Sequence, residues 1–161
     1  MKIKVPIIPM EDFMRNPEKS SFQISPNGNC VAFMKPWKTR MNVFVMDMNT
    51  DKEERLTSSE ARGIYGFTWL TDNRIGYVKD DGGNENMHFY AVNIDGTNEI
   101  DLTPFENIQA RIIDDLEDDQ NHVIIGLNKR NAQIHDPYRV NINDGTLEMI
   151  AENPGNISGW G

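Results

Sequence analysis

The stretch VFVMDMNTDKEERLT (Val43 to Thr57) lies over FYAVNIDGTNEIDLT (Phe89 to Thr103) without a gap at a shift of 46 residues. A further 49 residues on, YRVNINDGTLEMIA (Tyr138 to Ala151) repeats the design. Each copy alternates apolar and polar positions, turns, and closes on a short run. The first two copies end on Leu-Thr. The segments ahead of them also correspond. FQISPNGNCVAFMK (Phe22 to Lys35) matches FTWLTDNRIGYVK (Phe67 to Lys79) with one residue lost in the turn, and RIIDDLEDDQNHVIIGL (Arg111 to Leu127) is a more diverged third version. A fixed period of this kind constrains the fold more than any single motif, because like units must bury their faces on one another.

Each unit reads as four short strands, which in the first fall at about 22–25, 31–35, 42–47 and 54–57. Val, Ile, Phe, Tyr and Trp suit the pleated, half-buried surface of such strands. Pro26-Asn27-Gly28 marks the first turn, while Asp95-Gly96 and Asp144-Gly145 mark turns between third and fourth strands, since Gly tolerates the positive φ of a tight hairpin. The segment from Met10 to Ser20 has room for a turn or two of helix before Pro17. A period near 45 residues with four strands per unit is the pattern of a β-propeller blade. A β-sandwich also explains evenly spaced hairpins, but not why the order of turn types recurs.

The expected fold is therefore all-β, a partial β-propeller of about three four-stranded antiparallel blades plus the first strand of a fourth. The boundaries are a lead-in over 1–20, blades over 21–64, 65–107 and 108–155, and the start of a fourth over 156–161. The last of these rests on NISGW (Asn156 to Trp160), which aligns with YGFTW (Tyr65 to Trp69). Propellers close with roughly four to eight blades, so the expectation is a fragment.

At IPMEDFMRNPEKSSFQISPNGNCVAFM, RIGYVKDDGGNENMHFYAVNIDGTNEIDLTPFE, IIDDLEDDQNHVIIGLNKRN and YRVNINDGTLEMIAENPGNISGW, the chain resembles the N-terminal propeller of the prolyl oligopeptidase family of serine peptidases, in its acylaminoacyl-peptidase-like branch. The generic blade pattern also fits TolB-like propellers, which would make the chain a protein-interaction module. The peptidase resemblance implies a longer parent whose propeller gates the access of short peptides to an α/β-hydrolase domain with a Ser-Asp-His triad. Ser20, Ser21, Ser25, Ser58, Ser59 and Ser158 all lack the Gly-x-Ser-x-Gly context of that nucleophile. No catalytic residue carries over, and the chain alone is expected to be inactive. Its implied partners are the remaining propeller and the hydrolase domain. An open three-blade stack would also leave two apolar faces bare, so self-association is expected.

A net charge of −9 argues against nucleic acid or an anionic membrane as partner, since both need a basic face. Lone Cys30 cannot form an internal disulfide, and no apolar run approaches a membrane span. The start MKIKVPIIPMEDF is not a secretory signal, so the expected location is cytoplasmic.

No cofactor is implied. His88, His122 and His135 are solitary, without the ligand spacing zinc requires, and the acidic run Asp114 to Asn121 lacks the central Gly of a calcium loop and reads as a solvated hairpin. The candidate region is the connection Lys79 to Asn86, with Asp80, Asp81, Gly82, Gly83, Asn84 and Glu85. Two glycines among acid and amide groups expose backbone N–H groups on a rigid scaffold. Its counterparts, Lys35 to Asn42 and Asn128 to Pro137, are expected on the same rim, and Trp37 in the first is placed to stack on a partner.

Overall fold

The computed structural model describes residues 8–14, 17–80, 83 and 85–160. A short helix α1 (Met10–Met14) leads in, short of Pro17. Three four-stranded antiparallel sheets follow, each an up-and-down meander of consecutive strands. The first holds β1 (Ser20–Ile24), β2 (Cys30–Trp37), β3 (Arg40–Asp47) and β4 (Glu53–Arg55). The second holds β5 (Ile64–Thr71), β6 (Arg74–Asp80), β7 (Met87–Asn93) and β8 (Ile100–Asp101). In the third are β9 (Ala110–Asp114), β10 (His122–Asn131), β11 (Ile134–Asn141) and β12 (Leu147–Met149). All-β architecture built from repeated four-stranded units is what the sequence period requires.

Turn chemistry fixes the units locally. Gly96 and Gly145 take φ of 81° and 74°, where a Cβ would be strained. Beside them Asp95 and Asp144 each accept the amide of the threonine two residues on, at 2.9 and 2.8 Å.

Register makes the sheets comparable position by position. The central ladders start at Cys30↔Asp47, Arg74↔Asn93 and His122↔Asn141. At the same distance along the second strands stand Phe33, Tyr77 and Ile125. Tyr77 points into the core shared with the first sheet and Ile125 into the core shared with the second. One residue earlier, Ala32 and Gly76 face the sheet that follows. At these second-strand positions of the first two sheets the aromatic thus points back and the small residue forward. Two cores lie between sheets: Ala32, Met34, Val43 and Val45 against Phe67, Trp69 and Ile75, then Val78, Phe89 and Leu102 against Val123, Ile125 and Leu127, and a third, smaller cluster of Val31, Phe33 and Phe44 lies on the other face of the first sheet.

Polar ties cross both junctions. Trp69 Nε1 donates to the carbonyl of Gln23 at 3.1 Å, and Gln23 Nε2 returns a bond to the Phe67 carbonyl. Arg74 Nε reaches the Ile142 carbonyl at 3.1 Å.

The Leu-Thr ending of the first two copies has a structural purpose. Buried Thr57 and Thr103 each accept the backbone N–H of the third strand, from Val43 and Phe89, both at 2.9 Å. We expect Thr103→Val to cost about 1–3 kcal/mol, because a buried N–H loses its partner while the volume is kept. Urea unfolding measures the loss, and Thr57→Val is expected to behave alike.

The structure shifts some expected boundaries. Fourth strands are shorter than expected, since Thr57 and Thr103 close the ladder with a side chain instead of a backbone pair. Trp37 ends β2 rather than lying in a loop, because Lys38-Thr39 alone makes the turn. Residues 156–160, the expected opening of a fourth blade, form no strand, as a strand exists only by pairing and none lies beside them among the described residues. Trp160 nonetheless donates Nε1 to the carbonyl of His135, at 3.3 Å, reaching back to the preceding sheet as Trp69 does.

Candidate functional site

The β2–β3, β6–β7 and β10–β11 connections lie at one end of the stack. Arg40 at the first donates Nε to the Ala61 carbonyl at 3.2 Å, and Arg62 next to Ala61 packs under Gly83 of the second. Gln109, which bridges Met87 at the start of β7, takes a 2.6 Å bond from its own N–H to Asn128 Oδ1 in β10.

Asp80 is buried at the end of β6, and its Oδ1 accepts the Gly83 amide at 2.9 Å. Gly83 adopts φ 92° against the Arg62 guanidinium, with 2.5 Å from an added Cβ to the nearest nitrogen. Glu85 has φ 62°, and its carbonyl takes a long 3.5 Å bond from Gln109 Nε2. Asp81, Gly82 and Asn84 lie outside the described residues. The Trp37 ring is half-buried beside Phe33 and Phe44, with the Arg55 guanidinium 3.9 Å and Lys38 Nζ 4.7 Å from its centre.

A second layer of polar side chains sits just below this rim, where each third strand begins. Asn42 Oδ1 accepts the Thr57 hydroxyl at 2.9 Å and the Ser59 amide at 2.7 Å. His88 Nδ1 pairs with Asp101 Oδ2 at 2.7 Å. Asp136, fully buried, takes both Arg130 Nε and a terminal Arg130 nitrogen at 2.9 Å, plus the Asn153 amide at 2.7 Å. Three different chemistries thus hold the exit from the fourth strand in place. Sequence inspection missed them; the one signal was a polar residue recurring where an apolar strand begins.

Asn153 also donates Nδ2 to the Ile157 carbonyl at 2.8 Å and folds the segment 153–160 over the third sheet. A cavity of about 370 Å³ lies between them, lined by Arg111, Ile113, Gly126, His135, Ile157 and Trp160. His135 Nε2 is the one buried side-chain polar atom without a partner among the described residues. Burial lowers the His135 pKa, and Arg111 adds to this. No group of three His, Cys, Asp or Glu is placed to hold a metal ion among the described residues. In the acidic hairpin Asp119 accepts Arg139 at 2.5 Å and the Asn121 amide at 2.9 Å.

These groups set a direction for acid stability. Arg130 holds Asp136 below the ordinary carboxylate range, and Arg139 holds Asp119 at about 2. For all three lowered groups, His135 included, the unfolded chain binds protons more readily than the folded one, so stability falls as pH falls. We expect the loss to begin below the ordinary histidine value of about 6.5 and to steepen through the carboxylate range, as measured by urea midpoints from pH 8 to 3. Asp136→Asn is expected to flatten the lower part of that curve.

No protein-family model matches the chain. Among characterised proteins it is 30% identical over 156 residues to dipeptidyl aminopeptidase BIII of Pseudoxanthomonas mexicana, a match covering 96% of this chain and 23% of the relative. The chain is homologous to dipeptidyl peptidases. It spans less than a quarter of that relative's length. The fold recurs in the acylaminoacyl peptidase of Pyrococcus horikoshii, with TM-score 0.59 and 16% identity over 86% of this chain and 26% of that one. It recurs in the β-propeller domain of the trilobed protease of Pyrococcus furiosus, with TM-score 0.60 and 17% identity over 84% of this chain and 43% of the domain. TolB of Agrobacterium tumefaciens gives 0.59 and 18%, over 81% and 48%. The dipeptidyl-peptidase homology and the propeller likeness agree with the resemblance carried by the repeats. No helix among the described residues is long and apolar enough to cross a membrane.

Proposed function

We propose that the chain is the non-catalytic propeller portion of a prolyl-oligopeptidase-like serine peptidase, acting as a steric filter that admits short peptides to an α/β-hydrolase domain. The observation that carries this reading is the 30% identity to a dipeptidyl aminopeptidase across 96% of the chain. The mechanism needs no chemistry from the chain itself: stacked rigid sheets leave a narrow passage, and folded proteins are too wide for it. We assign the rim bearing Asp80, Asp81, Gly82, Gly83, Asn84, Glu85 and Trp37 to the side facing the hydrolase or the substrate path. Unpaired Cys30 suits a reducing compartment such as the cytoplasm.

The test is hydrolysis of blocked aminoacyl and dipeptidyl chromogenic substrates. The purified chain is expected to give no turnover, and a rate that co-purifies with it through several columns would overturn the reading. A second reading, an interaction module of the TolB kind, is favoured by the likeness covering 48% of a TolB chain. It ranks lower because 18% identity speaks only for the fold.

A further inference from the structure

We propose that Asn27 is a self-modifying site, at which the Gly28 nitrogen adds to the Asn27 side-chain carbon, ammonia leaves, and water opens the cyclic imide to a carboxylate. The turn between β1 and β2 holds two hydrogen-bond donors on the oxygen where charge builds up in the first step.

The molecule contains its own control. Three turns among the described residues set Asn or Asp directly before a glycine at positive φ: Asn27-Gly28 at 73°, Asp95-Gly96 at 81° and Asp144-Gly145 at 74°. In each, the side-chain Oδ1 accepts the N–H two residues on, at 2.9, 2.9 and 2.8 Å. The geometry is shared and the electrophile is not. Hydrogen bonds from Thr97 and Thr146 hold Asp95 and Asp144 below the ordinary carboxylate range, so at neutral pH both are anions, which resist attack by a nitrogen nucleophile. Asn27 is exposed and its side chain is a neutral amide.

Asn27 Oδ1 accepts both the Asn29 N–H and the Ser25 hydroxyl, each at 2.9 Å. Ser25 is buried, and its Oγ is fixed in turn by the Cys30 N–H at 2.9 Å. When nitrogen adds to Cγ, negative charge develops on Oδ1, and donors already aimed at that oxygen stabilise it as an oxyanion hole does. One bond opposes the step: the Gly28 N–H donates to the Ser25 carbonyl at 2.8 Å and must be released first. Two donors on a developing charge outweigh it, since hydrogen bonds to charged groups are about twice as strong as neutral ones. Gly28 has no Cβ to shield its nitrogen, and nothing stands within 4 Å of where one would be.

The steps balance with water alone. The Gly28 amide proton is lost to solvent as the N–Cγ bond forms, and the Cγ–Nδ2 bond breaks as Nδ2 takes up a proton and departs as ammonia. Water then adds to one of the two imide carbonyls, which leaves aspartate or isoaspartate at position 27. Either product adds one negative charge to the −9 of the chain. The charge falls on the junction of the first two sheets, because the Asn27 N–H donates to Asp72 Oδ1 at 2.8 Å. Aspartate keeps the acceptor that the turn needs, whereas isoaspartate lengthens the backbone and moves the Gly28 N–H away from Ser25.

The test keeps the full chain at neutral pH in water enriched in heavy oxygen and follows it by ion exchange and peptide mapping. A form with one more negative charge is expected to accumulate, with heavy oxygen at residue 27 in both aspartate and isoaspartate; the Asn27→Asp protein marks where the first elutes. Ser25→Ala is expected to slow the reaction about tenfold in the folded chain, as loss of one oxyanion donor does, and to leave the rate in urea unchanged. That second arm separates the lost donor from a change in the reacting pair itself, and amide exchange in β2 checks that the variant is folded. An Asn27 that stays an amide in the folded chain overturns the proposal without any substitution. So does a folded Ser25→Ala protein that reacts as fast as the parent or faster.

Discussion

Gly76→Ala is expected to lower stability by about 3 kcal/mol, at the upper end of what overpacking a core costs, and the melting temperature by roughly 6–12 °C for a chain of this size. An added Cβ would stand 2.5 Å from Phe89 Cζ, 2.9 Å from Phe89 Cε2 and 3.1 Å from Leu70 Cδ1. Phe89 is fully buried and its ring is wedged between two sheets, so it cannot swing aside as an exposed side chain would. The glycine is there because Phe89, on the neighbouring strand of the same sheet, lays its ring directly over it. The counterpart in the first sheet is Ala32, where the neighbour leaves room for a methyl group. Phe89→Leu in the same chain is expected to recover much of the loss, with the pair coupled rather than additive. A Gly76→Ala protein as stable as the parent would mean that the Phe89 ring does not lie over Gly76 as described.

Arg74→Met is the second large effect, with an expected loss of about 3 kcal/mol. Arg74 is 7% exposed, and its guanidinium donates to the Ile142 carbonyl at 3.1 Å, Asn93 Oδ1 at 2.6 Å and the Asn98 carbonyl at 3.2 Å. Two opposing terms decide the sign. Removing a buried cation that has no carboxylate partner among the described residues relieves desolvation. Against that, three acceptors lose their donor, and each such orphan costs about 1–3 kcal/mol when it stays dry. The orphan term wins because Ile142 is itself buried in the core between the second and third sheets. Arg74→Lys is expected to recover little, as an ammonium cannot span three acceptors set around a planar fork. Guanidinium unfolding of the three proteins side by side measures the difference.

The repeat carried most of the architecture in plain view. Leu-Thr, Asp-Gly-Thr and the alternating runs mark local events, strand endings and turns, which depend on neighbours a few residues away. Junction chemistry was hidden for the opposite reason. Arg74 and Ile142 are 68 positions apart, and nothing near either residue says which sheets abut. The same holds for Arg130, Asp136 and Asn153, whose network exists only once the chain leaves the fourth strand and crosses back. Trp37 illustrates the limit from another side: the residues around it do not reveal that Arg55, from another strand, stands 3.9 Å from its ring centre. Sites 156–160 align with a strand, yet alignment cannot supply the neighbour that makes a strand form.

Methyl and aromatic cross-relaxation in solution tests the serial stacking of the sheets most directly. Contacts are expected from Val43 and Ala32 to Trp69 and Ile75, and from Phe89 to Val123 and Ile125, with none between Val43 and Val123. A Val43–Val123 contact within one chain would contradict it, because those two side chains can meet only if the second sheet does not stand between them.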